Sequence, residues 1–371
     1  MSELIVRNNR VALHPELLLT VSAVALMASI CVSEAAEDDA DRPTVWIEAG
    51  GQLERIDSAQ SIFAPSFFAE AKPSILAPMV DAQQPPAYGL ATEGKISFEP
   101  EDSNWLFSAA LRYGRANGGK HLHHEQSVVS ATQVFASPLR NFLGDGLTAY
   151  HDTNLTLDFQ AGKDVGLGMF GSGGSSIISA GIRFAQFTSN SNIKLQAKPY
   201  IHNSSNALFP GKYDIRNRHS IAYTAILSAS RNTHAIGPSL SWDASAPLVR
   251  SGEHAALDVD WGLNAAVLFG RQKVRMHRQT AASHYNLVPG QYPHPTYTAH
   301  STQSANPGRS RTVTIPNIGG FAGISLKFPN AKVALGYRAD FFFGAMDGGI
   351  DTAKKENIGF YGPFATIGVG L

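Results

Sequence analysis

The residues best suited to chemistry are few and scattered. His121, His123, His124 and Glu125 form the densest group of metal-binding side chains, and imidazoles two and three positions apart can share one ion on an extended or looped segment. They follow Gly118-Gly119 at the expected end of a strand, which favours a solvated loop, and no metal ligands are assigned. His151, Asp152 and Thr153 place a base, a carboxylate and a hydroxyl side by side, and His234 and His254 lie near Ser239 and Ser251. A hydroxyl nucleophile needs its base within hydrogen-bond reach, and no second segment around these residues supplies the remaining parts of a catalytic set. The expectation is therefore no enzyme, no catalytic residue and no cofactor. Gly166, Gly168 and Gly171 match the spacing of a dinucleotide-binding loop, but such a loop must open a helix. Ser172 to Ser176 and then a strand-like run follow instead, so these glycines read as a turn.

A different set of polar residues recurs in a pattern. Arg112, Asp158, Arg183, Asp258, Asp260, Asn264, Lys332, Arg338 and Asp340 each sit inside a segment where polar and apolar side chains alternate. Period two sends neighbours to opposite faces of a strand, so these residues share one face and apolar residues the other. From Ala255 to Phe269, Leu257, Val259, Trp261, Leu263, Ala265, Val267 and Phe269 alternate with Asp258, Asp260, Gly262 and Asn264. Leu90 to Phe98 and Trp105 to Tyr113 repeat the pattern on either side of Pro100 and read as a hairpin. Leu155 to Ala161, Ile178 to Phe184, Ile221 to Ala229, Ile236 to Ala244, Ile318 to Phe328 and Val333 to Phe343 follow suit, and no stretch shows a helical period.

Alternation alone fits a soluble sandwich as well as a membrane barrel. Two features favour an antiparallel transmembrane up-and-down β-barrel over residues 44–371. The apolar face ends in aromatics such as Trp46, Trp105, Tyr113, Trp261, Phe269, Tyr337 and Phe343, as at the two interfaces of a bilayer. Connections alternate in length: Glu99 to Ser103, Arg231 to His234 and Phe328 to Lys332 are tight, whereas residues 57–87, 190–218 and 282–311 are long and rich in Pro, Ser and Asn. A further turn near Gly270-Arg271 keeps 282–311 on the outer side. The expectation is about 12 strands, within a range of 8 to 14.

The start of the chain fits export. Arg7, Arg10 and His14 precede the apolar run Leu17 to Val32 and the small residues before Ala36, the form of a signal peptide over residues 1–35. Residues 36–43 then read as a flexible acidic N-terminus. The single cysteine, Cys31, lies within the leader, so the mature part has no thiol nucleophile or disulfide, which suits an oxidising compartment. Removing 1–35 takes Arg7 and Arg10 from 30 basic residues and Glu3, Glu16 and Glu34 from 30 acidic ones, leaving 28 and 27. That balance gives no footprint for nucleic acid.

Leu157-Asp158-Phe159-Gln160-Ala161-Gly162, followed by Gly181, Arg183, Phe184 and Ala185, resembles the pore-forming major outer-membrane protein family of Gram-negative bacteria. There a strand with an acidic residue and Ala-Gly precedes one with a Gly-x-Arg-aromatic-Ala run. The resemblance covers the chain loosely from about residue 45 onward. It implies an outer-membrane barrel with pore-like function and brings no catalytic residues. Such barrels end in an aromatic residue that assists insertion, whereas this chain ends in Leu371. The expected partners are outer-membrane lipid and, during insertion, the barrel-assembly machinery. The polar face is then expected to line a lumen for small polar solutes, and its mixture of signs predicts weak ion selectivity. The alternative is a non-conducting structural or surface-interaction barrel that acts through its outer loops. A barrel hydrolase is a distant third.

Overall fold

The computed structural model describes residues 44–57, 87–101, 103, 105–127, 142–166, 174–199, 218–251, 255–287, 296–349 and 352–371. The expected leader and the tail over 36–43 lie outside these residues. The elements are strands throughout: β1 (Thr44–Asp57), β2 (Ala87–Glu99), β3 (Trp105–Ser127), β4 (Phe142–Asp164), β5 (Ser175–Pro199), β6 (Arg218–Ser251), β7 (Ala255–Leu287), β8 (Thr296–Ala305), β9 (Gly308–Lys327), β10 (Ala331–Asp347) and β11 (Lys355–Gly370).

Ten of the strands close into an antiparallel ring, each beside its sequence neighbour except that β7 meets β9. Closure is made by β1 on β11, with Trp46 opposite Gly370 and Ala49 opposite Ile367; Leu371 N–H donates to the Val45 carbonyl at 2.8 Å. A ring has no free edge, so every strand can satisfy its backbone within the sheet. The eleventh strand, β8, lies outside the ring. It pairs with the far part of β7, where Arg278 faces Ala305, and β9 takes over where Arg275 faces Gly308. Thus β8 prolongs β9 beyond Asn306-Pro307.

Four links lie at the end of the barrel that holds the two termini, Glu99 to Trp105, Asp164 to Ser175, Ser251 to Ala255 and Lys327 to Ala331, and all but the second are tight; at the opposite end Asp347 to Lys355 is the shortest connection between ring strands. Local chemistry fixes the ends of two of the four. Asp164 Oδ1 accepts the Gly166 N–H at 2.9 Å and the Ser176 N–H at 3.3 Å, and Gly166 takes φ 60, a conformation glycine adopts without steric cost. At the β9–β10 link, Phe328 N–H donates to the Ala331 carbonyl at 2.7 Å. The long connections all lie at the opposite, distal end.

The ring has ten strands where about 12 were expected, and two misplaced turns explain the excess. Arg231 to His234 lie within β6, and Gly270-Arg271 within β7. At both places one face of the strand turns from apolar to polar while the other keeps its phase. Along β7 the outward residues pass from Val267 and Phe269 to Arg271 and Lys273, whereas Leu268, Gln272, Val274 and Met276 stay buried. The change of polarity marks where the apolar outer belt stops. Strands continuing past that boundary also enter two expected loops: β5 runs to Pro199, about a third of the way through residues 190–218, and β7, β8 and β9 take up most of residues 282–311. Residues 58–86 and 200–217 lie outside the described residues.

Outward side chains below the boundary form a continuous apolar belt. Phe159 is 60% exposed, Leu263 56% and Leu335 55%, while inward Phe187 and Leu268 are 0% exposed. A barrel with its aliphatic side chains outside and its charges inside is inverted relative to a soluble protein, and it matches a wall that meets lipid.

Candidate functional site

The lumen is arranged in tiers along its axis. Nearest the termini is a polar cavity of about 460 Å³, bordered by Ser175, Lys327, Gly368 and Trp46 at its mouth, the last turned into the lumen rather than into the outer aromatic belt expected for it, and by Arg112, Arg183, Asn264 and Asp340 at its roof. The sequence places its charges here through strand phase alone. Arg112, Asp158, Arg183, Asp260, Asn264, Lys332, Arg338 and Asp340 all border this cavity. Asp258 also points inward, with Ser245 Oγ donating to it at 3.4 Å, but lies outside the cavity wall.

The roof is an ionic strap that crosses the barrel. Asp158 and Arg183 are direct cross-strand partners, and the guanidinium donates to both carboxylate oxygens at 2.6 and 3.1 Å. Its remaining face donates to Asn264 Oδ1 at 2.6 Å and to Asn317 Oδ1. Asn264 Nδ2 in turn donates to Asp340 Oδ1 at 3.3 Å, and Arg112 donates to Asp340 Oδ2 at 2.6 Å. Gly319 makes the middle of this chain possible, since it sits between Asn264 and Asp340 in register and a Cβ there would run into Asp340 Oδ1. A second link runs from Asn154 Nδ2 to Glu54 Oε1 at 2.5 Å, over Gly114, where a Cβ would meet both side chains.

Lower in the cavity, Arg338 pairs with Glu93 and lies over the Phe364 ring, 4.7 Å from its centroid. Lys332 Nζ meets Asp260 Oδ2 at 2.7 Å. Carboxylates and cations thus alternate around the wall. Pairing keeps their desolvation tolerable, and charge-assisted bonds are roughly twice as strong as neutral ones.

Beyond the strap the lumen becomes apolar. Ile56, Ala116, Phe187, Leu268, Ile315, Phe342 and Phe360 belong to one buried cluster. Phe187 packs edge-on to Phe342 with centroids 4.7 Å apart and stacks on Phe360 at 5.5 Å. The end of β10 folds over this layer. Gly344 takes φ 66, the β10–β11 register shifts between Phe342 and Met346, and Ala345 and Met346 are both 0% exposed. Such a bulge re-aims the chain, here bringing backbone carbonyls into the lumen. The Ala345 carbonyl accepts from Thr233 Oγ1 at 2.7 Å, and the Gly344 carbonyl from Gln272 Nε2 at 2.8 Å. Arg231, 1% exposed, donates to Ser189 Oγ at 2.6 Å. Arg309 holds Asp347 through both carboxylate oxygens at 2.7 Å.

The remaining expected groups are distributed differently. His121 to His124 belong to the backbone of β3 rather than to a loop; the side chains of His121, His123 and His124 lie outside the description. Among the described residues no group of three His, Cys, Asp or Glu is placed to hold a metal. His151 faces outward beside Asn117, while Asp152 is 2% exposed on the lumenal side, so the wall separates base from carboxylate. His234 is exposed and Ser239 buried, on opposite faces. Strand alternation dictates both separations.

Several lumenal groups escaped the sequence argument. Glu93 lies in phase opposite Leu90, and Glu54 continues the phase of Glu48. Arg231 was hidden by a supposed turn, although Ala225, Leu227, Ala229, Arg231, Thr233 and Ala235 keep one unbroken phase.

No family model matches the chain, and no curated protein matches it. Among solved structures it is similar to the translocator domain of the autotransporter NalP from Neisseria meningitidis, with 10% identity over 94% of this chain and 96% of that one and a TM-score of 0.25. The TodX deltaS2 mutant, a monoaromatic hydrocarbon channel, gives 9% identity, 90% coverage of each chain and a TM-score of 0.21. A bacterial polysaccharide outer-membrane secretin gives 8% identity, 89% and 99% coverage and a TM-score of 0.19. Likeness at this level carries no argument about what the chain does, so function rests on the tiers of the lumen.

Proposed function

We propose that this chain is an outer-membrane β-barrel with its termini and short links in the periplasm, serving as a channel for small polar solutes that is shut in the form described. The location rests on the apolar belt and on the asymmetry of the connections, which match barrels inserted from the periplasmic side. The observation that carries the channel reading is the polar cavity of about 460 Å³, which opens toward the termini and is walled by both signs of charge. Both signs on the wall give weak ion selectivity. Ionic strap and phenylalanine layer together form the closure.

The same closure favours a second reading, a structural barrel that conducts nothing and presents its long distal strands outside the cell. At ten strands, side chains can fill a barrel's interior. Liposome swelling separates the two. Wild-type barrels in liposomes should admit small sugars slowly, and a Phe187→Ala, Phe342→Ala variant should admit them several-fold faster. If the folded double variant swells no faster than protein-free liposomes, the channel reading fails and the structural one stands.

A further inference from the structure

The distal part of β7 carries a row of cations on its outer face. Arg271, Lys273 and Arg275 are all exposed, and they begin one pleat beyond Phe269, the last apolar residue of the belt on this strand. None of their cross-strand neighbours carries a negative charge: His234, Asn232 and Ser230 on β6, and Thr312, Ser310 and Gly308 on β9. From Trp261 to Ala339 the sequence contains no Asp or Glu, so nothing on β7, β8 or β9 beside the row offsets its charge. The nearby carboxylate of Asp347 is turned into the lumen and held by Arg309. Arg271 Nε donates to Ser310 Oγ at 2.7 Å, which steers the guanidinium along the wall. Among the described residues none of the three has a carboxylate partner.

We propose that this row, Arg271, Lys273 and Arg275, is a binding site for the phosphorylated headgroup of an outer-leaflet glycolipid. The inference rests on the membrane reading given above, because that reading puts the row at headgroup depth, directly above the acyl chains that would pack on Phe269, Val267 and Ile236. Four strand rises separate Arg271 from Arg275, about 13 Å along the strand. A single phosphodiester does not reach across that height, whereas a sugar headgroup with more than one phosphate does. Guanidinium groups bind phosphate bidentately and ammonium as a point charge, and the flanking hydroxyl and amide groups of Ser230, Asn232 and Thr312 suit sugar hydroxyls. Each cation near an anionic lipid surface contributes a several-fold gain in affinity.

The test uses the full chain refolded in neutral detergent micelles and titrated by native mass spectrometry with a diphosphorylated glucosamine lipid. Its dephosphorylated form and phosphatidylglycerol serve as comparison probes. The diphosphorylated lipid should bind at least about tenfold more tightly than either. The triple variant Arg271→Gln, Lys273→Gln, Arg275→Gln should lose at least about tenfold in affinity, whereas Arg115→Gln, an isolated outward cation on β3, should leave it unchanged. Equal binding of phosphatidylglycerol, or an equal loss with Arg115→Gln, overturns the site, as does a triple variant that binds like wild type. Folding is read separately by heat-dependent mobility on gels, and insertion by protection of the barrel from protease in liposomes. A chain that inserts but does not discriminate lipids loses only this site, whereas a chain that fails to insert loses the membrane reading itself.

Discussion

The half of the lumen next to the termini and the half beyond Asp340 are enclosed by the same ten strands, yet one holds a cavity of about 460 Å³ and the other is packed. Strand number and spacing are common to both, so the difference lies in the inward side chains. Near the termini Ser, Gly and paired charges leave room that water can occupy. Farther along, Phe187, Phe342 and Phe360 meet at the axis, and the Gly344 bulge folds β10 over them. A barrel of fixed circumference is therefore opened or shut by its contents, and substitutions in the two halves should respond differently.

The largest effects belong to the packed half. Phe187→Ala and Phe342→Ala should each cost about 3–5 kcal/mol, because each leaves a cavity between rings that cannot collapse onto one another. The urea midpoint of the refolded barrel should fall accordingly, and an unchanged midpoint would mean that the rings do not meet. At the boundary, Asp340→Ala should cost about 3–5 kcal/mol by stranding the buried Arg112. Adding Arg112→Met should recover part of that loss, and a double variant less stable than Asp340→Ala would show that the two residues are not coupled. Gly344→Ala should cost about 1–2 kcal/mol, since an alanine there must hold a left-handed backbone; chemical unfolding of that variant would show it. Least affected should be Lys332→Gln in the open half. Its side chain is 30% exposed and that of Asp260 10%, against 12% and 3% for Arg112 and Asp340, so the pair should contribute about 1 kcal/mol, the upper end of the range for exposed pairs. A large loss there would erase the distinction between the halves.

Most of the wall was legible in the sequence because alternation is a local property. The Ala255 to Phe269 run and the hairpin around Pro100 follow from period two and the turn residues beside it. Asp158 and Arg183 fell on the lumenal face for the same reason, whereas their direct pairing depends on the register of β4 against β5. Strand number was not legible, because a loss of outward apolarity at Ser230 and Asn232 or at Arg271 looks the same whether a strand turns or leaves the lipid; only the persisting inward phase tells them apart. The plug was illegible for another reason. Phe187, Phe342 and Phe360 come from β5, β10 and β11, and their meeting depends on register across the whole ring. Nothing near Gly344 announces that the next three residues bend inward.

Single-channel recording in a planar bilayer tests the closure most directly. Wild-type barrels should hold a closed baseline with rare openings, and the Phe187→Ala, Phe342→Ala barrel should show frequent stepwise conductance of weak ion selectivity. A wild-type barrel that conducts steadily, with steps unchanged when both rings are removed, would contradict a lumen closed by that layer.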